Sequence, residues 1–262
     1  MDWVVVVTSD NVSAMGNAEN LLVIYGNEDL YRVFESYWDD VLEPRGEPQE
    51  RDAITVGVGD VAVFTFPRAD SDDPVVEQLE LIREDMVDAP VVHVAQAQFE
   101  RTADWGHGTR GPCEALADLA VDAFMRFGRA AVEDNFRVVL DNHSRNEHNA
   151  RQFADALTDA GYDGVIPIVW LPAGRGAGVG ASEPDFSADV HHKVLLVDYR
   201  RVEGATRTKR VYCGSYNWSE GAHAEGDEIL LRVQHPTIYD RYKEELDTLF
   251  AIGVPYAEGP TA

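Results

Sequence analysis

Short runs of branched and aromatic residues alternate along the chain with longer segments whose apolar residues recur at helical spacing. Glycine, proline or charged residues bound the short runs, as is typical of buried β-strands, whereas the longer segments are typical of amphipathic helices. This pattern predicts strands at residues 3–7, 20–25, 54–58, 61–66, 91–99, 136–141, 165–171, 190–199, 209–215 and 229–233, and helices at 30–41, 74–87, 112–133, 144–160 and 238–250.

Strands and helices alternate between residues 61 and 198, which predicts an α/β sandwich with a mixed sheet covered by helices on both faces. The chain has 262 residues, of which 45% are hydrophobic, and this suffices for one large domain or two small ones. Residues 43–52 are rich in proline, glycine and charge, so we interpret them as a linker.

The predicted strand at residues 190–199 carries an unusual set of polar side chains. Side chains alternate between the two faces of a strand, so His191 and Lys193 point one way while His192 and Asp198 point the other. Lysine is rare in this chain, which further indicates that Lys193 has a specific function. The sequence therefore predicts an imidazole and an ammonium side by side on one face.

The next predicted strand ends in the sequence GSYN at residues 214–217, where Ser215 and Asn217 again share a face. A phosphodiester carries a negative charge that repels hydroxide, so its cleavage needs a neutral nucleophile and donors aimed at the non-bridging oxygens. His191 can supply the nucleophile, and Lys193, Ser215 and Asn217 can supply the donors. A nucleophilic imidazole also needs a group that holds its second ring nitrogen. The candidate is Glu228, which opens the following strand.

These residues resemble the phospholipase D superfamily. Its HxKxxxxD motif is matched by His191, Lys193 and Asp198, its GSxN element by Gly214, Ser215 and Asn217, and its trailing acidic residue by Glu228. The resemblance implies an α/β sandwich, a histidine that attacks phosphorus to form a phosphohistidine intermediate, and a second histidine that acts as acid and then base. It also implies that no metal or other cofactor is required. For individual residues it implies phosphate binding by Lys193 and Asn217 and a mainly structural role for Asp198.

The N-terminal region repeats part of this pattern. TSDNVS at residues 8–13 is similar to GSYNWS at 214–219, and each is followed by an acidic residue, a strand and an amphipathic helix. We therefore predict that residues 1–50 are the C-terminal tail of a first phospholipase D-like lobe and that residues 51–262 form a complete second lobe. The first-lobe equivalents of the motif residues are Ser9, Asn11 and Glu19.

The charge of the chain bears on its substrate. A formal net charge of -25 argues against a protein that grips nucleic acid with its general surface, because phosphate contacts need clustered lysine and arginine. The same charge disfavours docking to anionic membranes by electrostatics alone. We expect a phospholipid or a small diester as the substrate, with nucleic acid as the alternative, and the sequence leaves hydrolysis and transfer open.

The source of the second histidine also stays open. An upstream lobe would supply it, which we favour, or two chains would pair across a two-fold axis and each supply His191. A domain that binds phosphate without turnover is a third possibility. Metal chemistry is not expected, since His191 and His192 face opposite ways in a regular strand.

Cysteine content and hydrophobic stretches bear on the cellular compartment of the protein. The two cysteines, Cys113 and Cys213, are too few for a disulfide framework, and we expect both to be thiols. No stretch approaches the length of a membrane span, and residues 1–10 lack the pattern of a signal peptide. As written, the sequence therefore favours neither secretion nor membrane insertion.

Overall fold

The computed structural model describes residues 3–8, 21–42, 54–68, 73–99, 110–141, 144–171, 191–202 and 206–258. The strands in these ranges are β1 (Val4–Thr8), β2 (Leu21–Tyr25), β3 (Thr55–Val58), β4 (Val61–Thr65), β5 (Val91–Gln96), β6 (Phe136–Asp141), β7 (Ile168–Leu171), β8 (Lys193–Arg200), β9 (Arg207–Gly214), β10 (Ile229–Val233) and β11 (Val254–Pro255). The helices are α1 (Glu28–Leu42), α2 (Pro74–Asp85), α3 (Pro112–Phe127), α4 (Arg129–Glu133), α5 (Ser144–Asp159), α6 (Glu220–Ala224) and α7 (Pro236–Ile252).

Nine of the described strands form one mixed sheet in the order β11-β7-β6-β5-β8-β9-β10-β4-β3. The pairs β5–β6 and β6–β7 are parallel, and the other neighbouring pairs are antiparallel. The parallel strands are joined through helices, as parallel pairing requires, whereas β3 and β4 form a hairpin around the turn at Gly59 and Asp60. The strand β8 lies at the centre of this sheet, so both of its edges are paired.

Two hydrophobic cores cover the two faces of the sheet. One lies under α2, α3 and α5 and takes Leu195 and Val197 from β8, while the other lies under α7 and takes Val194 and Leu196 from the same strand. Strand side chains alternate, so a strand with apolar residues at every position must be covered on both sides. The predicted α/β sandwich, with a mixed sheet and helices on both faces, is confirmed.

The predicted helix at residues 112–133 is wrong in one respect, because it is broken into α3 and α4. Gly128 separates them with φ 84°, a backbone conformation that glycine adopts without the steric cost other residues incur. The amide of Gly128 still bonds to the carbonyl of Phe124, which caps α3. The apolar pattern continues across the break, so periodicity alone does not reveal it.

The N-terminal strands lie outside the large sheet. They form a separate antiparallel pair in which Val5 faces Ile24 and Val7 faces Leu22. Val5, Val7 and Leu22 are buried, together with Leu30 of α1, in the core that also contains α7. The opposite face of the same pair is exposed.

Candidate active site

The polar residues of the motif converge at one end of the central strands. Lys193 begins β8, where its Cα pairs with Gln96 at the end of β5, and Gly214 ends β9, where its Cα pairs with Leu230 at the start of β10. Antiparallel neighbours in a sheet bring the end of one strand beside the start of the next. The sheet therefore gathers groups that are separated by about 20 to 100 positions in the sequence.

His191 and Lys193 are in direct contact. The Lys193 ammonium nitrogen lies 2.9 Å from Nδ1 and 3.0 Å from Nε2 of the His191 ring, and it also donates to the His191 carbonyl at 2.9 Å. Lys193 is only 2% exposed, whereas His191 is half-buried. Both side chains belong to the face that carries Leu195, as their alternation predicts. A buried cation is thus held against an accessible imidazole.

Ser215 and Glu228 join this group from the neighbouring strands. The Ser215 amide donates to the Ile229 carbonyl, and the Ser215 hydroxyl accepts from the Ile229 amide, both at 3.0 Å. Burial raises the pKa of Glu228, while a side-chain hydrogen bond with Ser215 and the charge of Lys193 act in the opposite direction. Lys193, Ser215 and Glu228 therefore interact electrostatically, and the predicted role of Glu228 in orienting His191 stays a prediction.

Gly214 is required where β9 meets β10. Its φ is 153°, and a Cβ at this position would lie 2.1 Å from the Ile229 carbonyl oxygen. Such a contact is far shorter than the sum of the van der Waals radii, so a side chain would force the two strands apart. The glycine therefore permits the close approach that brings Ser215 over the start of β10.

Asn217 presents a polar group without a partner. Its Oδ1 atom is buried and has no hydrogen-bond partner among the described residues. The next residue, Trp218, is buried and stacks on Phe99 with ring centroids 5.7 Å apart, and the two residues also form a β-bridge. The backbone beside the site is thus anchored in the core, next to the unpaired Oδ1 of Asn217.

A buried polar network lies behind the GSYN turn. The Tyr216 hydroxyl donates to Asp73 Oδ2 at 2.5 Å, and His223 Nδ1 lies 3.5 Å from the same oxygen. The other carboxylate oxygen of Asp73 caps α2 by accepting from the amides of Val75 and Val76. Burial, together with the Asp73 carboxylate, raises the pKa of Tyr216 well above its usual value. This network was not predicted from the sequence. Two features of the sequence indicate it: the capping residue Asp73 before Pro74, and the aromatic Tyr216 inside GSYN.

His192 faces away from the site. It is 1% exposed on the α7 side of the sheet, and its Nε2 lies 3.5 Å from a carboxylate oxygen of Glu245. Burial, together with smaller contributions from the nearby charges of Lys193 and His191, lowers the pKa of His192 to about 4. His192 is therefore neutral at pH 7 and does not share the environment of His191.

Asp198 lies toward the opposite end of β8. Arg207 of β9 donates to its Oδ1 at 2.6 Å and to its backbone carbonyl at 2.8 Å, and the same guanidinium pairs with Asp88 at 2.9 Å. These contacts tie the hairpin of β8 and β9 to the segment that follows α2. Asp198 is thus separated by most of the strand from Lys193.

The predicted first-lobe residues Ser9, Asn11 and Glu19 lie outside the described residues, as does most of the loop before His191. Arg110, just before α3, pairs with Glu80 on α2 and Asp118 on α3. Both cysteines are buried, and neither forms a disulfide bond. In the described ranges, no group of three or more His, Cys, Asp or Glu side chains is placed to hold a metal ion, and none of the helices is long and apolar enough to cross a membrane.

Part of the chain matches the model of a known protein family. Residues 136–250 match the model described as cardiolipin synthase, PLD-like domain. The matched segment runs from β6 into α7 and contains the HxK strand, the GSYN turn and Glu228. No curated protein is significantly similar to the chain in sequence.

Several solved structures are also similar. Nuc, a phospholipase D family member from Salmonella typhimurium, is 14% identical with a TM-score of 0.46, over 75% of this chain and 97% of that one. NucT from Helicobacter pylori is 14% identical with a TM-score of 0.45, over 75% and 98%. Polyphosphate kinase from Porphyromonas gingivalis is 16% identical with a TM-score of 0.42, over 72% and 26%. These TM-scores are low, so the match over residues 136–250 is the more informative comparison.

Proposed function

We propose that this protein is a phosphodiesterase of the phospholipase D superfamily whose nucleophile is His191, because residues 136–250 match the PLD-like domain model. The observation that carries the proposal is the contact between the His191 ring and the Lys193 ammonium, at 2.9 and 3.0 Å. A phosphate oxygen bound to that ammonium would hold phosphorus beside the ring nitrogens. This is the proximity that a nucleophilic mechanism needs.

The proposed reaction has two steps. A neutral ring nitrogen of His191 attacks phosphorus, the bond from phosphorus to the leaving alcohol breaks, and a second histidine donates a proton to that alcohol oxygen. Water then attacks the phosphohistidine, the second histidine removes a proton from the water, and the nitrogen–phosphorus bond breaks to restore His191. Replacing water with an alcohol in the second step would make the reaction a transfer.

Each remaining motif residue has a proposed role in these steps. Lys193, Ser215 and Asn217 bind the non-bridging oxygens, where developing negative charge is best stabilised by preorganised donors. Glu228 orients and stabilises this group through Ser215 and Lys193. We assign Asp198 and Gly214 structural roles, Asp198 through its pairing with Arg207 and Gly214 through its close contact with Ile229.

The proposed substrate class is a phospholipid or a small phosphodiester. The net charge of -25 supports this over nucleic acid, since a general anionic surface repels a polyanion. The name of the matching family model, cardiolipin synthase, also refers to a phospholipid enzyme. Comparing turnover of phosphatidylglycerol vesicles with turnover of single-stranded DNA tests this choice, and faster cleavage of DNA would reverse it.

We further propose that residues 1–50 are the tail of a first lobe and that residues 51–262 are a second lobe. The strand registers support this: aligning the TSDN and GSYN sequences places Thr8 on Gly214, and aligning Glu19 with Glu228 places Leu21 on Leu230. Thr8 pairs with Leu21 in the same way that Gly214 pairs with Leu230. This shared register supports the proposed repeat.

The second histidine is proposed to come from such a first lobe rather than from a second copy of the chain. Val6 and Leu21 on the outer face of the N-terminal pair are 56% and 62% exposed, whereas their equivalents in the repeat, Tyr212 and Leu230, are each 2% exposed. A complete lobe would cover that face. Light scattering tests the choice, because a stable dimer would support pairing of two chains instead.

The experiment that tests the function is hydrolysis of bis(p-nitrophenyl) phosphate in excess EDTA. We expect His191→Ala to lower kcat/KM by about a thousandfold or more, because loss of a nucleophile removes several kcal/mol of transition-state stabilisation. The exposed His235, which makes no side-chain cap bond at the start of α7, provides the matched control His235→Ala. Near-normal turnover by His191→Ala would contradict the assignment.

A folded chain that shows no turnover requires a second experiment. Adding a phospholipase D-like lobe with its own HxK motif should restore activity if only the second histidine is missing. If inorganic phosphate binds without any turnover under either condition, the binding-domain alternative is correct.

A further inference from the structure

Gln96 lies beside the proposed phosphate site but belongs to none of its motifs. It ends β5, and its Cα pairs directly with that of Lys193 across the antiparallel ladder. Directly opposed residues of such a pair place their side chains on the same face, with Cβ atoms roughly 4.5 to 5.5 Å apart. The amide of Gln96 therefore extends from the same face as the Lys193 ammonium.

This amide is buried and lacks a hydrogen-bond partner. Gln96 is 1% exposed, and its Oε1 atom has no partner among the described residues. An unsatisfied buried polar group destabilises a folded protein, because it has lost its hydrogen bonds to water without replacing them. A leucine at this position would avoid that cost, so the fold alone gives no reason for a glutamine here.

The neighbouring backbone holds Gln96 in place. Asn146 of α5 accepts from the Phe99 amide at 2.9 Å and donates to the Ala97 carbonyl at 2.9 Å, and Asn149 donates to the Phe99 carbonyl at 2.5 Å. Asn146 and Asn149 are themselves buried. The segment after Gln96 is therefore rigid, which is the condition for a preorganised binding group.

The geometry points to Gln96 as a phosphate-binding residue. We infer that its amide NH2 donates to a non-bridging oxygen of the substrate phosphate held by Lys193, an inference that rests on the proposed function. Phosphate oxygens only accept hydrogen bonds, and a half-turn about the last side-chain torsion brings the NH2 to the position of Oε1. The bound phosphate would then satisfy the polar end that the fold leaves unpaired.

A neutral donor suits this position. Lys193 already supplies a positive charge, and a glutamine adds a hydrogen bond without a second buried cation that would need its own counter-charge. A glutamate of the same shape would place a negative charge against the phosphate. The unpaired Oδ1 of Asn217 is a second amide of the same kind in the same motif region.

The test uses Gln96→Leu with Gln78→Leu as the matched control. Gln78 is also buried, but both polar atoms of its amide make hydrogen bonds. Its Nε2 donates to the Tyr199 hydroxyl at 3.3 Å, and its Oε1 accepts from the Tyr212 hydroxyl at 2.8 Å and from Arg210. Two quantities are measured for each variant and the wild type: the melting temperature, and the affinity for inorganic phosphate by calorimetric titration.

We expect the two variants to behave in opposite ways. Gln96→Leu should retain or raise the melting temperature, because it removes an unpaired polar group, while weakening phosphate binding about tenfold or more. Gln78→Leu should lower the melting temperature and leave phosphate affinity of the folded protein unchanged. If the role of Gln96 were merely structural, Gln96→Leu would lower the melting temperature, as Gln78→Leu does.

Each outcome decides the inference separately from the proposed function. Equal phosphate affinity of Gln96→Leu and wild type, or no phosphate binding by the wild type, overturns the role of Gln96. Loss of affinity in Gln96→Leu supports that role even if the protein turns over no diester, in which case only the proposed catalysis fails. Where turnover occurs, kcat/KM should fall about tenfold in Gln96→Leu and further in Gln96→Glu.

Discussion

Gly214 and Ile229 approach each other so closely that a Cβ atom on Gly214 would lie 2.1 Å from the Ile229 carbonyl oxygen. The two residues join the last position of β9 to the first position of β10, and Ser215 bonds to both backbone groups of Ile229. The glycine of the GSYN turn is therefore fixed by contact between two backbones. Its importance does not depend on any ligand.

This contact predicts a large effect of Gly214→Ala. The added methyl group must push β10 away or distort the turn, so we expect the free energy of unfolding to fall by about 2 to 4 kcal/mol. Chemical denaturation measures the change. Gly221→Ala is the control, since a Cβ there meets nothing within 4 Å, and similar stabilities for the two variants would contradict the prediction.

The network behind the turn predicts a second effect on stability. Tyr216→Phe removes the hydroxyl that donates to Asp73, so a buried carboxylate oxygen loses a donor and stability should fall by about 1 to 3 kcal/mol. Tyr239→Phe is the matched control, because the buried Tyr239 hydroxyl has no partner among the described residues. Thermal melts of the two variants should differ by several degrees.

His192 predicts a dependence of stability on pH. Its pKa falls from the ordinary 6.5 to about 4 on folding, chiefly through burial, and Glu245 at 3.5 Å is too exposed to offset this. The unfolded chain therefore binds more protons between these values, so stability decreases as pH falls from 6.5 to 4. In His192→Gln this loss should shrink by about 1 to 3 kcal/mol, measured by denaturation at several pH values. An unchanged profile would show that His192 is accessible to protons in the folded state.

The raised pKa of Glu228 predicts a dependence of stability on pH that is opposite in sign to that of His192. Burial raises its pKa above the ordinary 4.5, so the folded chain binds more protons, and this residue contributes a loss of stability as pH rises from 4.5 through the folded pKa. Glu228→Gln should remove that contribution and be at least as stable as wild type at pH 7. Its kcat/KM should nevertheless fall about tenfold or more, because Ser215 and Lys193 lose their carboxylate partner.

The exposed Glu225 supplies the control for this variant. Glu225→Gln should change neither the pH profile of stability nor turnover. If Glu228→Gln keeps full activity, the carboxylate has no part in organising the site.

Local sequence patterns were enough to predict most strands and helices and the location of the motif. Branched runs and helical periodicity predicted the strands, and alternation along β8 correctly placed Lys193 and His192 on opposite faces, because strand geometry depends on local backbone sterics alone. The order of HxK, GSYN and Glu228 gave the resemblance to the phospholipase D superfamily before any contact was known, and the family model matches the same segment. The break at Gly128 was missed, since one glycine in an apolar pattern does not reveal its φ angle.

The contacts between residues that are distant in sequence became known from the folded structure. Gln96 and Asp73 precede Lys193 by about 100 and 120 positions, and the pairing of β5 with β8 and the packing of α2 bring them to the motif region. Strand order and helix packing depend on how the whole chain buries its apolar surface, which no local pattern encodes. The unpaired amide of Gln96 became visible only once its surroundings were known, because a lack of partners is a property of the packed fold.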